Sequence, residues 1–241
     1  MSTIAGSPNT QGGNDGTGNV ALFNIVKGIA LAGPRTIFVT EYQGNRIRRI
    51  DYVSGDPAAA TSYMVSTLAG DTSGVGGQAG YTNSVGTNAR FNAPADLCVD
   101  AVGNLYVSEA GNQDIRKVTP DGVVSTVAGN NPPNAQGYVD GAPNVAQFSN
   151  PLGITIDPAG YLYVADYSNG AIRRISPSGN VETAVGYPSA PITDGAGNSV
   201  GTGAYGVTIS ASGVVYIADY YAKSVRKAER VLNQGSVSGK K

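Results

Sequence analysis

The chain has 241 residues, a net charge of −1, 41% hydrophobic residues and only 14% charged ones, against about 25% charged in an average soluble domain. So neutral a balance supplies no global field for nucleic acid, and with no histidine and one cysteine the chain forms neither a Cys/His zinc site nor an intramolecular disulfide. The 34 glycines point instead to a turn-rich β protein.

Met1–Gly6 carries the phrase STIAG, which returns as STLAG at Ser66–Gly70 and STVAG at Ser125–Gly129, with ETAVG at Glu182–Gly186. Each copy is short, β-prone and closed by glycine, so each reads as a strand followed by a turn. Long loops rich in Gly, Asn and Pro follow: Ser7–Asn19, Asp71–Asn88, Asn130–Asn144 and Tyr187–Gly203. Three of them hold an Asp-Gly pair, at Asp15, Asp140 and Asp194. Three end in an Ala-x-Phe anchor, at Phe23, Phe91 and Phe148, and in the fourth Tyr205 is expected to substitute.

After each anchor comes a strand, a turn, a second strand, a second turn and a third strand, as in Gly153–Arg174, GITIDPAGYLYVADYSNGAIRR. The copies start at Gly28, Asp96, Gly153 and Gly206. In the second strands Leu105-Tyr-Val, Leu162-Tyr-Val, Val215-Tyr-Ile and Ile37-Phe-Val put two aliphatics on one face and the aromatic on the other, as a period of two demands. The first copy inserts Ser54–Tyr63 before its outer strand. Cys98 sits in the apolar run Leu97–Val99 and reads as a small core residue rather than a reactive thiol.

Each unit is therefore a meander of four antiparallel strands with both faces in need of cover. Fixed repeats of this size form blades, solenoids or arrays, and radial stacking also shields the edges. The residues GITID…GYLYVADYSNGAIRRI…VSTVAG resemble the NHL-repeat family of β-propellers over nearly the whole chain. The family's GN-hR turn stands as Gly44-Asn45-Arg46 and is altered to Asn112-Gln113-Asp114, Asn169-Gly170-Ala171 and Ala222-Lys223-Ser224. The expected fold is all-β, a propeller of four four-stranded antiparallel blades over residues 1–231. Met1–Gly6 is expected to close it as the last outer strand, leaving Leu232–Lys241 as a tail. Val231–Gly239 is the alternative outer strand, which would leave the N-terminal strand spare.

An acid falls thirteen residues after each start and an arginine twenty after it, giving Glu41–Arg48, Glu109–Arg116, Asp166–Arg173 and Asp219–Arg226. Each acid is expected to face its arginine across the second hairpin as a repeated structural bridge. The functional alternative is a ring of carboxylates near the channel mouth holding Ca²⁺ through oxygen ligands. The long loops and the second turns share one face, which receives Tyr42, Tyr167, Tyr220 and Tyr221 together with Gln43, Asn45, Asn112 and Asn169. Tyrosine offers area and a hydroxyl, and loops on a rigid scaffold commonly carry binding.

The basic pairs Arg48-Arg49, Arg116-Lys117, Arg173-Arg174 and Arg226-Lys227 alternate between faces, so they make no continuous phosphate stripe; nucleic acid is not an expected partner, although the resemblance implies RNA for some relatives. The glycine-rich loops lack GxxxxGK[ST]. Without histidine the usual proton shuttle is missing, and no unique, non-repeated acid/base pair stands out. The expected function is a non-catalytic binding or assembly scaffold with a protein or glycan partner and no cofactor. A carboxylate–calcium hydrolase or lyase is the alternative, and self-assembly into homo-oligomers through the terminal strands is a third.

No apolar segment approaches the roughly 20 residues a membrane span needs. The N-terminal stretch lacks the basic and apolar regions expected of a secretion signal, and no asparagine begins an N-x-Ser/Thr acceptor. Low charge with abundant Gly, Asn and Thr leans toward an extracellular or cell-surface setting.

Overall fold

The computed structural model describes residues 1–129, 135–188 and 201–228. Its strands fall into four antiparallel sheets. The first contains β2 (Val26–Leu31), β3 (Thr36–Glu41), β4 (Arg46–Tyr52) and β5 (Tyr63–Gly70), with the short β1 (Gly16–Thr17) beyond β5. The second runs β6 (Pro94–Val99), β7 (Leu105–Glu109), β8 (Asp114–Val118) and β9 (Val124–Gly129). In the third the strands are β10 (Pro151–Ile156), β11 (Leu162–Asp166), β12 (Ala171–Ile175) and β13 (Val181–Gly186). The fourth has three described strands, β14 (Ala204–Ile209), β15 (Val215–Asp219) and β16 (Ser224–Ala228). The expected all-β, four-sheet architecture is what the structure shows.

Alternation builds the core between sheets rather than within one. Phe38 and Ile47 of the first sheet pack with Leu97, Leu105 and Val107 of the second. Ile115 and Tyr106 of the second pack with Ile154, Leu162 and Val164 of the third. Tyr163 and Ile172 of the third pack with Val207, Val215 and Ile217 of the fourth. At each of these three junctions the earlier sheet presents an aromatic-and-isoleucine face and the later one an aliphatic face. Phe91 and Phe148 are fully buried between successive sheets and seal their outer ends.

The innermost strands meet at the axis, where β2 lies on β6, β6 on β10 and β10 on β14. A side chain at Gly28 would put its Cβ 2.6 Å from the Asp96 Cα, and one at Gly153 would sit 2.8 Å from the Gly206 Cα. Those are closer than carbon atoms approach, so these positions require glycine. Around Gly206 itself the nearest described atom is Ala218 Cβ at 3.6 Å, in the same sheet. The run of close approaches stops there.

Exposure tells the same story. Ile115 and Ile172 are 0% exposed, whereas their counterpart Val225 on the fourth sheet is 80% exposed. Leu97 is 3% exposed and its counterpart Ile29 on β2 is 66% exposed. Three sheet-to-sheet junctions are made in full, and the faces that would form a fourth are open to solvent among the described residues.

The expectation that Met1–Gly6 completes the fourth sheet is not met. Those residues form no strand; the Gly6 N–H donates to Gly18 O at 2.9 Å. Ala5 packs with Ala21, Phe23 and Val39 against the first sheet. It sits where Ala69 sits against the second sheet, so its own contacts hold it to the sheet that follows and not to β16. The alternative outer strand Val231–Gly239 and the tail Leu232–Lys241 lie outside the described residues. The first three long loops run along the outer edge of the sheet they lead into, as β1 on β5 and through the bridges Val85–Val123 and Gly141–Val181.

Candidate functional site

The repeated acid and arginine act first on the loops. The strands set Arg48 opposite Val39, Arg116 opposite Val107 and Arg173 opposite Val164, so each arginine lies diagonal to its acid rather than facing it. Long side chains span the diagonal: Arg116–Glu109 is 2.6 Å, Arg173–Asp166 is 2.8 Å and Arg226–Asp219 is 3.1 Å, and Arg48 binds Glu41 in the same way. Each acid also accepts the backbone N–H at the end of a long loop, from Asn24, Asn92, Ser149 or Gly203.

In the first three repeats the far side of the guanidinium holds an earlier residue of the same loop. Arg48 reaches Asp15 at 2.8 Å and Arg173 reaches Asp140 at 2.6 Å. In the loop without an Asp-Gly pair, Asn83 takes that place, 2.6 Å from Arg116. The plane of each arginine lies over its anchor ring, 4.9 Å from Phe23, 5.3 Å from Phe91 and 5.1 Å from Phe148. These residues bolt the loops to the sheets. Tyr205 does not take the anchor's place in the fourth repeat, since its ring stands exposed at the axis.

The candidate amides are engaged as well. Asn112 is buried and donates to Gly80 O and to Glu109. Asn169 makes the same pair of bonds to Gly137 O and Asp166. Asn45, at a turn position with φ of 50°, accepts from Ala93 N and donates to Gly76 O. They position the turns and leave few hydrogen bonds for a partner.

The tyrosines are different. Tyr167 stacks on Tyr221 with centroids 5.7 Å apart, and Tyr205 stands edge-on to Tyr167 at 6.0 Å. Tyr220 joins Tyr205 at 6.1 Å and Tyr221 at 5.5 Å. The Tyr167 hydroxyl donates to the Tyr221 hydroxyl at 2.9 Å, and that bond is the first cause pushing the Tyr167 phenol up to about 12. Tyr205, Tyr220 and Tyr221 are exposed. They line a cleft of about 700 Å³ with Lys223 at its edge.

Lys27 completes the mouth. Its ammonium lies 4.3 Å from the Tyr42 ring centroid and 5.6 Å from that of Tyr205. Lys27 and Asp96 are the group that sequence reasoning missed. The residue before each start reads Lys27, Ala95, Leu152 and Tyr205, and the start itself reads Gly28, Asp96, Gly153 and Gly206. The signal was a departure from the repeat rather than the repeat. Partial burial lowers the Lys27 pKa, opposed by the charge of Asp96. Burial raises the Asp96 carboxyl, opposed by the N–H groups of Leu97 and Ile154 and then by Lys27. A bulge in each inner strand at this point turns these side chains toward the axis.

On the opposite face the first turns border a second depression of about 590 Å³, lined by Val99, Ile156 and Ile209 with Asp100 and Asp157. Both acids are spent on their own turns, accepting N–H groups from Val102 and Asn104, and from Ala159 and Tyr161. Among the described residues no group of three or more His, Cys, Asp or Glu is arranged to hold a metal ion, and Asp194 lies outside them. Burial pushes the Cys98 thiol up, so it is not a thiolate nucleophile.

No protein-family profile matches the chain. The chloroplastic protein SUPPRESSOR OF QUENCHING 1 of Arabidopsis thaliana is 28% identical over 249 residues, covering 95% of this chain and 22% of that protein. The chain thus spans about a fifth of the length of this curated relative. An auxiliary nutrient binding protein from Bacteroides ovatus superposes with a TM-score of 0.64 at 19% identity, over 87% of this chain and 49% of that one. A catalytically inactive virginiamycin B lyase from Staphylococcus aureus, with quinupristin, superposes with a TM-score of 0.52 at 13% identity, over 95% and 59% of the two chains. The fold is that of a β-propeller. In both neighbours this chain matches only part of the length, and at this identity the likeness carries fold alone.

Proposed function

We propose that this propeller is a non-catalytic binding module that takes a protein segment or a glycan at the mouth formed by Lys27, Tyr42, Tyr167, Tyr205, Tyr220 and Tyr221. The observation that carries the reading is the cluster of four tyrosines, three of them exposed, beside a lysine on a rigid scaffold. Contiguous exposed aromatic surface marks interaction sites, and tyrosine gives contact area at low entropic cost. The nutrient-binding neighbour shares the scaffold, which is compatible with this use of it. The hairpin carboxylates argue for the non-catalytic form: arginine and backbone N–H groups already engage them, so a calcium ion would have to displace an internal guanidinium.

Binding is tested by titrating soluble neutral and uronate-containing oligosaccharides, and a tyrosine-rich peptide library, against intrinsic tyrosine fluorescence. For any probe that binds, Tyr167→Ala and Tyr220→Ala should each weaken affinity at least about tenfold, as truncation of an aromatic anchor does, with the unfolding midpoint preserved. Affinity unchanged in both variants removes the mouth as the site.

A further inference from the structure

The two open faces of the arc are halves of one junction. On the fourth blade Tyr216 and Val225 occupy the positions of Phe38 and Ile47, of Tyr106 and Ile115, and of Tyr163 and Ile172, each of which packs on the following blade. On the first blade Ile29, Leu31 and Ile37 occupy the positions of Leu97, Val99 and Leu105, which receive such a face. At the axis Gly206 stands as Gly153 does, with open space where Gly153 meets the next inner strand. Gly28 offers another glycine backbone to fill it.

We propose that the fourth blade of one copy packs on the first blade of a second copy, head to tail, so that two arcs close one ring. Two observations favour a second copy as the occupant. The contact would continue a junction that the chain already makes three times, with the same residue classes at the same positions. Exposed Val225, Tyr216, Ile29 and Leu31 form apolar surface at both ends of the arc, where an isolated domain would be expected to present polar residues. Eight blades, the number two copies give, lies within the range of about four to eight that propellers use. Two heterologous contacts related by a two-fold axis close such a ring.

Mass in solution tests this. Light scattering coupled to size exclusion should give twice the 24.5 kDa of the chain. Val225→Asp and Ile29→Lys, both at exposed positions, should each halve the mass while the far-ultraviolet spectrum and unfolding cooperativity stay unchanged. Mixing the two variants should restore the doubled mass, because one junction then pairs Asp with Lys and the other is wild type. Gly206→Ala should weaken association in the same way while leaving the single chain folded. A mass of one chain at high micromolar concentration, as expected if other blades cover these faces, overturns the proposal. So does a mass that climbs past two chains, one that neither substitution lowers, or a mixture that stays at one chain. Tyr167→Ala, which lies outside the cleft that Tyr220 shares with Val225, should leave the mass unchanged, which separates this result from that of the binding test.

Discussion

Arg173→Met isolates what the internal arginines do. The Arg173 side chain is fully buried and donates to Asp166, to Gln147 O and Val139 O at 2.8 Å, and to Asp140 at 2.6 Å. Methionine keeps the length of the stem and its packing against Phe148 but supplies no donor. Asp140 is half exposed and returns to water at little cost. Asp166 cannot: it keeps the Ser149 N–H and the Asn169 amide but loses its counter-charge in a site closed to solvent. Removing one partner of a buried pair costs about 3–5 kcal/mol, a large share of the roughly 5–15 kcal/mol that holds a domain together. For a chain of this size that lowers the melting temperature by on the order of 10 °C.

The pH dependence gives a second handle. Burial raises the folded Asp166 carboxyl to about 6, above its ordinary 3.8. A raised folded pKa means the folded state holds the proton more tightly, so this group's contribution to stability falls as pH rises from 3.8 to about 6. Without Arg173 the carboxyl rises further, so the gap between variant and wild type should be widest at neutral pH and narrow toward pH 4. Urea unfolding at both pH values, followed by far-ultraviolet circular dichroism, measures it. The control is Arg49→Met, because Arg49 and Asp51 form a half-exposed pair at 2.8 Å worth under about 1 kcal/mol. If Arg173→Met costs no more than Arg49→Met at neutral pH, the arginines are not the bolts described above.

Two further substitutions test other parts of the account. Asp114 is buried across the strands from Glu109, with Arg116 Nε 4.0 Å away and neither oxygen in hydrogen-bond geometry, and burial followed by the charge of Glu109 pushes its carboxyl well above the usual range against the opposing charge of Arg116. Because that folded pKa is raised, its cost grows as pH rises above the ordinary carboxylate value; Asp114→Ala should stabilise the protein by about 1–3 kcal/mol at neutral pH and by less near pH 4, and destabilisation at neutral pH would contradict this. Gly153→Ala would place a methyl 2.8 Å from the Gly206 Cα and 2.9 Å from Tyr205 O, backbone that cannot swing aside, so thermal unfolding should show a loss of about 1–3 kcal/mol; an unchanged midpoint would mean the inner strands are not packed as described.

Strands, turns and sheet composition were legible in the sequence because they rest on local rules. The alternation in Leu162-Tyr-Val and the turn at Asp157–Gly160 act over a few residues, and four copies in register reinforce each other. The acid–arginine spacing was legible too, although the diagonal placement and the grip on the loops were not. Those depend on strand register and on backbone carbonyls such as Gln147 O, which carry no sequence signature.

What only the tertiary structure decided is how the repeats end and where they differ. Lys27, Asp96 and Tyr205 are ordinary residues in a line of text; they come together because the innermost strands converge on one axis. Asn112 read as a surface amide and is buried, because the loop at Gly80 closes over it. The phrase STIAG reads alike in every copy, yet at Met1–Gly6 it forms no strand, and its contacts with Ala21 and Phe23 hold it against the first blade. Whether the arc closes depends on the angle between successive blades. That angle is a sum of small packing displacements across three junctions, and no single residue encodes it.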